Sequence, residues 1–352
     1  MAEALDILWF GRGDPAYSRN QVLLNAMHEL GHTARFFTPA VSGLASIECR
    51  LKQVAKPDLV WVPCFRQRDV LVASRAARRW GVPLIFDPLI SAYDKQVFER
   101  RKFNEAATAA RRLLAKERRQ FAAADLVVAD TQNHAAFFRR ELGVAQAGLA
   151  VIPVGAQAQV FKPAPMRGVR GRIQVFFYGS FIELQGAGVI VAAAKLCPEA
   201  DFTLLGDGPS RPACEQAAQG LTNVRFEDRL PYESLPARIA EAHVLLGVFS
   251  ASRKAGDVVP NKVYQSLACG RPVVTRQSDA YPAHLIDGLG EQTGLFWVRP
   301  QDPKALAECV RALANTSDKL PEYGRLAAES YRASMGPSVV RGALSDCLAR
   351  VV

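Results

Sequence analysis

Between Leu245 and Thr275 the chain reads LLGVFSASRKAGDVVPNKVYQSLACGRPVVT. Two lysines, Lys254 and Lys262, bracket the start of a helix opened by Pro260, with Asn261 beside it. The amino end of a helix carries unpaired N–H groups and the positive pole of the dipole, a setting made for an anion. A diphosphate fits that setting. A lysine that is merely solvated sits badly in a first turn, because the dipole opposes it. Lys262 therefore reads as a ligand-facing cation. Gln265, inside the same helix, would project near whatever the diphosphate carries.

Other constellations admit two readings each. Gly11-Arg12-Gly13 follows the first apolar run. Glycines there either make a tight turn or let backbone approach a ligand at the carboxyl end of a parallel strand. Asp87 lies before Pro88 in the loop from Phe86 to Asp94; it either caps the turn or bonds a ligand hydroxyl. His28-Glu29-Leu30-Gly31-His32 matches the zinc-protease pattern H-E-x-x-H. That pattern works only when both histidines share a helical face. Gly31 stands where a helix should stop and a strand-like run follows, so His32 falls off that face. The seven cysteines (Cys49, Cys64, Cys197, Cys214, Cys269, Cys309, Cys347) include no C-x-x-C pair and read as reduced thiols. No metal site is expected.

A chain of 352 residues is long for one domain and comfortable for two. An apolar share of 49% supports full cores. No uninterrupted apolar run of about 20 residues exists to span a bilayer, and the first residues lack the pattern of a secretory leader. The cytosol is the expected address. The net charge is +10, and the richest basic segment runs from Glu99 to Arg119. It is either a solvated face with Glu99, Glu105 and Glu117 as partial partners, or a functional face for an anionic partner or membrane surface. No RNA-binding or zinc-finger motif accompanies it, so nucleic acid is not expected.

Short apolar runs alternate with amphipathic stretches, the pattern of parallel α/β units. Six strands are predicted in the first half, at Asp6–Phe10, Thr33–Phe37, Asp58–Val62, Pro83–Phe86, Asp125–Ala129 and Leu149–Ile152. Six follow in the second, at Gln174–Tyr178, Phe202–Leu205, Val224–Phe226, Val244–Val248, Pro272–Thr275 and Thr293–Trp297. Helices are predicted between them, including a long one within Tyr93–Ala123. The segment Phe161–Arg172 has the Pro, Gly and Arg content of a linker. The domains are thus expected at 1–163 and 172–336, with a final helix in 337–352.

The Pro260 helix, followed by Ala268-Cys269-Gly270-Arg271-Pro272-Val273-Val274, resembles the nucleotide-sugar site of retaining glycosyltransferase family four, also called group 1. The family pattern is an E-x7-E pair; here Asp257 and Gln265 hold those places at the same spacing. Met27–Phe37, Val151–Gly155 with Phe161-Lys162-Pro163, Phe177–Ser180 with Gln185-Gly186, and Leu204–Pro209 resemble further family segments in family order. The resemblance implies the GT-B fold, two Rossmann-like domains facing a cleft, with the last helix crossing back onto the first domain. It also implies a nucleoside-diphosphate sugar as co-substrate and no other cofactor.

On that resemblance Lys254, Lys262 and Asn261 would hold the diphosphate and Gln265 the ribose, its amide keeping an acceptor and adding a donor. Asp257 would face the donor sugar or simply cap the helix. Gly11 and Gly13 would lie near sugar and acceptor, Gly179 and Ser180 at the opening of the second domain, and Arg229 near the base. Many family members place a histidine in the loop holding Asp87; this chain has none there. The usual cations after the glycine turn are replaced by Ser180 and Gln185. The implied reaction is front-face displacement with retention of configuration, aided by domain closure that excludes water. The sequence does not name the acceptor; if the basic face of Glu99–Arg119 is functional, the acceptor would be anionic or lipid-linked, with peripheral contact at the inner membrane face. The alternatives are a non-catalytic nucleotide-sugar-binding relative and a GT-B sugar-nucleotide epimerase.

Overall fold

The computed structural model describes residues 3–352 apart from the side chain of Ser46. Its residues separate into two compact units, 1–154 with 337–352 and 155–336. Each holds one six-stranded parallel sheet. The first sheet is built from β1 (Asp6–Phe10), β2 (Thr33–Phe37), β3 (Leu59–Val62), β4 (Leu84–Phe86), β5 (Leu126–Ala129) and β6 (Leu149–Val151). The second holds β7 (Ile173–Gly179), β8 (Ala200–Gly206), β9 (Val224–Glu227), β10 (Val244–Leu246), β11 (Val273–Arg276) and β12 (Leu295–Val298). All twelve predicted strands are present, with ends shifted by a residue or two. Central strands such as β3 and β5 are buried on every residue, as parallel strands covered on both faces must be.

The orders fix where a ligand can sit. The first sheet runs β2-β1-β3-β4-β5-β6, so its order reverses between β1 and β3. The second runs β12-β11-β10-β7-β8-β9 and reverses between β7 and β10. In open α/β sheets the carboxyl ends of the strands flanking such a reversal form the ligand crevice. For the first unit that is the ground after Phe10 and Val62; for the second, the ground after Gly179 and Leu246.

Two expectations need correction. The segment Phe161–Arg172 is no free linker. Arg271, fully buried, donates to the carbonyls of Ala164 and Pro165 as well as to those of Ala240, Ala242, Cys269 and Gly270. Unsatisfied carbonyls at a helix end and in a turn are thereby paired by one guanidinium, which ties the segment to the second unit. The boundary therefore falls at 154/155 rather than near 163. The helix within Tyr93–Ala123 is broken into a turn of π-helix at Asp94–Glu99 and an α-helix at Thr108–Phe121. Between them Asn104 bonds the amide of Ala106, the local turn that asparagine favours over helix.

The final helix, Pro337–Leu348, packs in the first unit against the helix Ser18–Glu29. Val340, Leu344, Cys347 and Leu348 join Trp9, Leu23, Met27 and Trp61 in one core. Arg341 pairs with Glu29, and Arg350 donates to the carbonyl of Leu149 at 2.6 Å.

Candidate functional site

At the switch point of the first unit, the glycine loop is closed by protein. A side chain on Gly11 would meet Asp69 Oδ2 at 2.7 Å, and one on Gly13 would meet Pro63 at 2.8 Å. Asp69 accepts from Arg66 at 2.7 Å and from the amide of Arg12 at 3.3 Å. Asp69 and Pro63 are thus enough to require these glycines, whichever ligand comes near.

Asp87 is buried and spoken for. Arg19, from the first turn of the helix Ser18–Glu29, donates to it at 3.0 Å and to the carbonyls of Ile152 and Pro153 at 3.0 and 2.6 Å. Burial pushes the Asp87 carboxyl upward, and Arg19 pulls it back. Asp87 also takes a backbone hydrogen bond from Leu89, the turn cap that its place before Pro88 suggested, and through Arg19 it ties the carboxyl ends of β4 and β6 together. Asp130, one residue past β5, repeats the theme with a 2.5 Å contact to His134 Nδ1. Burial opposes its charge, but His134 and Arg19 outweigh that and keep its pKa low. Sequence reading missed this pair, although an aspartate directly after an apolar strand was the signal that singled out Asp87.

Glu117 is not a partner for the basic surface. It is buried and accepts from the Ser91 hydroxyl, the Ala92 amide and the Tyr93 amide at 2.5, 2.7 and 2.8 Å. The loop after β4 is fastened by these bonds, while Arg111, Arg112, Arg118 and Arg119 stay exposed. The H-E-x-x-H stretch is split as anticipated. Its helix ends at Glu29, Gly31 has φ +84°, and His32 Nδ1 accepts from the Leu5 amide at 3.1 Å. Among the described residues no three metal-ligating side chains are grouped together.

In the second unit the switch point is tightly built. The end of the Gln185 side chain lies over Gly179, where its Oε1 would stand 2.3 Å from an added Cβ and would have to move aside. Gln185 reaches Ser180 Oγ at 3.4 Å, and its carbonyl accepts from the Phe249 amide at 3.1 Å. The loops after β7 and β10 are thereby stitched together. A cavity of about 300 Å³ opens beside them, lined in part by Glu183, Gly186, Ala187, Ser210, Ser250 and Gln301. Neither Lys254 nor Lys262 lines it. Arg229 is exposed at the end of β9 and donates to the Asp207 carbonyl at 3.1 Å.

The helix Asn261–Ala268 has Pro260 at its cap position. Asp257 does not cap it. That carboxylate closes a short helix, Arg253–Asp257, and pairs with Arg253 at 3.0 Å. Lys254 is buried in the same short helix. Arg276, at the end of β11, donates to the carbonyls of Ser250 and Ser252 at 2.8 and 3.0 Å and so fixes the loop before it. Sequence reading did not single it out.

Gln265 Oε1 accepts from Tyr178 at 2.8 Å, and its amide nitrogen reaches Tyr232 at 3.3 Å. Burial raises the Tyr178 pKa well above its ordinary value, so the phenol stays a donor. The Gln265 amide keeps one further acceptor and one further donor position.

Lys262 occupies the first turn as expected, but its Nζ turns inward. It stands 3.7 Å from the ring centre of Phe177 and 6.0 Å from that of Tyr178. Among the described residues nothing accepts a hydrogen bond from it. A cation over a phenyl face gains about 0.5–2 kcal/mol, whereas an unpaired ammonium taken from water costs several. Burial wins and lowers the Lys262 pKa well below that of a free lysine.

The comparisons with known proteins fall on this frame. Residues 172–316 match the family model described as glycosyl transferases group 1, and residues 29–155 match the glycosyl transferase 4-like domain. The chain belongs to the group 1 glycosyltransferases. D-inositol 3-phosphate glycosyltransferase of Nocardiopsis dassonvillei is 27% identical over 236 residues, 61% of this chain and 53% of that protein. The chain thus spans about half the length of that curated relative. HepE of Anabaena, solved with UDP, superposes with a TM-score of 0.70 at 17% identity, covering 98% of this chain and 99% of that one. It has also been solved with UDP-glucose. Sucrose-phosphate synthase from Thermosynechococcus elongatus gives 0.69 at 17% identity, with 98% of both chains covered. This group 1 glycosyltransferase therefore has the GT-B fold.

Proposed function

We infer that this group 1 glycosyltransferase moves a sugar from a nucleoside-diphosphate sugar to an acceptor hydroxyl, with retention of configuration. The observation that carries the reading is the first turn of the helix Asn261–Ala268. It sets a buried, unpartnered lysine at the amino end of a helix that has no side-chain cap, next to the switch point of the second sheet. UDP and UDP-glucose bound to HepE support a uridine diphosphate donor. Lys262 and Asn261 would meet the diphosphate, with Lys254 close in sequence. Gln265 would offer its remaining donor and acceptor to the ribose, and Asp257, tied to Arg253, would approach the sugar. Compensating a departing diphosphate is the chief catalytic demand, and fixed cations and helix dipoles meet it. The nucleotide sugar is the co-substrate, and no other cofactor enters this reading.

The test is UDP binding together with UDP-glucose consumption, in the wild type and in Lys262→Ala. The expected outcome is a UDP affinity at least about tenfold weaker in the variant, equal to about 1.4 kcal/mol. Unchanged affinity and turnover would remove Lys262 from the site.

One observation favours the non-catalytic alternative: Gln265, at the place of the family glutamate, is already bonded to two tyrosines. Tight UDP binding with neither transfer nor donor hydrolysis would establish that reading instead. We also place the protein at the cytoplasmic face of a membrane, through the exposed apolar segment around the helix Ala45–Leu51 and its basic neighbours.

A further inference from the structure

We propose that Lys262 is uncharged in the free protein and takes up one proton when a nucleoside diphosphate binds. The inference rests on the diphosphate reading of this helix end and adds a protonation step to it.

The geometry supplies the reasons. The Nζ is sealed from solvent, 3.7 Å over the Phe177 ring, with no acceptor among the described residues. The positive end of its own helix also opposes an ammonium there. The polar groups nearby are neutral. The Tyr178 hydroxyl donates to Gln265 Oε1 and lies 3.3 Å from the Lys262 carbonyl, and Tyr232 meets the Gln265 amide. No carboxylate of the described residues pairs with Lys262. Nothing in the free protein therefore compensates a charge at this atom. An arriving diphosphate supplies the missing negative charge and the missing acceptors together. The lone pair of Nζ then takes a proton from the buffer acid; no bond to the ligand forms or breaks. Binding becomes coupled to pH. Above the titration point of the free amine, affinity should fall about tenfold per pH unit until the bound lysine itself deprotonates.

Calorimetric titration with UDP at pH 8, in buffers of different ionisation enthalpy, reads the proton directly. UDP is fully ionised there and has no proton of its own to release. The expected result is uptake of about one proton per UDP in the wild type, and none in Lys262→Gln or with uridine. UDP binding without uptake overturns the proposal, as does the same uptake in Lys262→Gln or with uridine. A complete absence of UDP binding would instead overturn the diphosphate reading on which it rests. The wild-type measurement stands even if the variant folds poorly.

Discussion

Arg271 and Lys262 are both buried basic side chains of the same motif region, yet they sit in opposite circumstances. Arg271 spends its donors on carbonyls of Ala164, Pro165, Ala240, Ala242, Cys269 and Gly270, while Lys262 spends none. A guanidinium offers five donors in a fixed plane; an ammonium offers three from a point. Arg271→Lys should therefore leave buried carbonyls unpaired and cost about 2–4 kcal/mol. Denaturant unfolding of the purified variant measures this, and a loss below about 0.5 kcal/mol would contradict the staple. Neither role was legible from residue type. The G-R-P-V-V segment pointed to the family, but only contacts with residues more than 100 positions away reveal what its arginine does. Asp87 is the converse case: its position after a strand was readable, its commitment to Arg19 was not.

At the scale of elements, the strands were the most readable feature, because parallel strands buried on both faces must be continuous apolar runs. The helix Ala45–Leu51 escaped notice, since only its small residues Ala45 and Cys49 face the core while its large apolar residues point outward. Val41, Leu44, Ile47 and Leu51 are exposed at 53, 55, 58 and 78%. Leu44, Ile47 and Leu51 follow helical spacing and so share one face. Arg50, Lys52, Lys56 and Arg79 stand exposed around this segment. An apolar ridge with a cationic rim suits the surface of an anionic bilayer. The protein should sediment with vesicles containing phosphatidylglycerol and much less with phosphatidylcholine alone. Ile47→Glu with Leu51→Glu should reduce that binding at least about tenfold. Equal sedimentation of the double variant, or self-association of the wild type through this face, would refute the membrane assignment. Among the described residues no helix is long and apolar enough to cross a membrane.

At the scale of the whole molecule, the two units repeat one device at the amino ends of their sheets. His32 accepts from the Leu5 amide and His243 from the Gln174 amide, at 3.1 and 2.8 Å, both through Nδ1. Burial lowers both pKa values. The unfolded chain therefore binds more protons than the folded one below about pH 6.5. Stability from these neutral imidazoles is present above that value and is lost as the pH falls through it. The melting temperature should drop between about pH 7.5 and 5.5, and the drop should shrink in His243→Asn. A melting temperature that is flat or rising in that window would refute this.

The sequence by itself determined the class of this protein: two rounds of strand and helix, the place of the Pro260 helix and the family that its motifs resemble. Those features are local, written in apolar periodicity and in residues adjacent along the chain. Only the tertiary structure decided which polar groups are free. Asp87 goes to Arg19, Glu117 to the loop after β4, Gln265 to two tyrosines, and Lys262 to a phenyl face. Each of these outcomes depends on a partner distant in sequence, brought close by strand order, and burial then sets whether its charge survives.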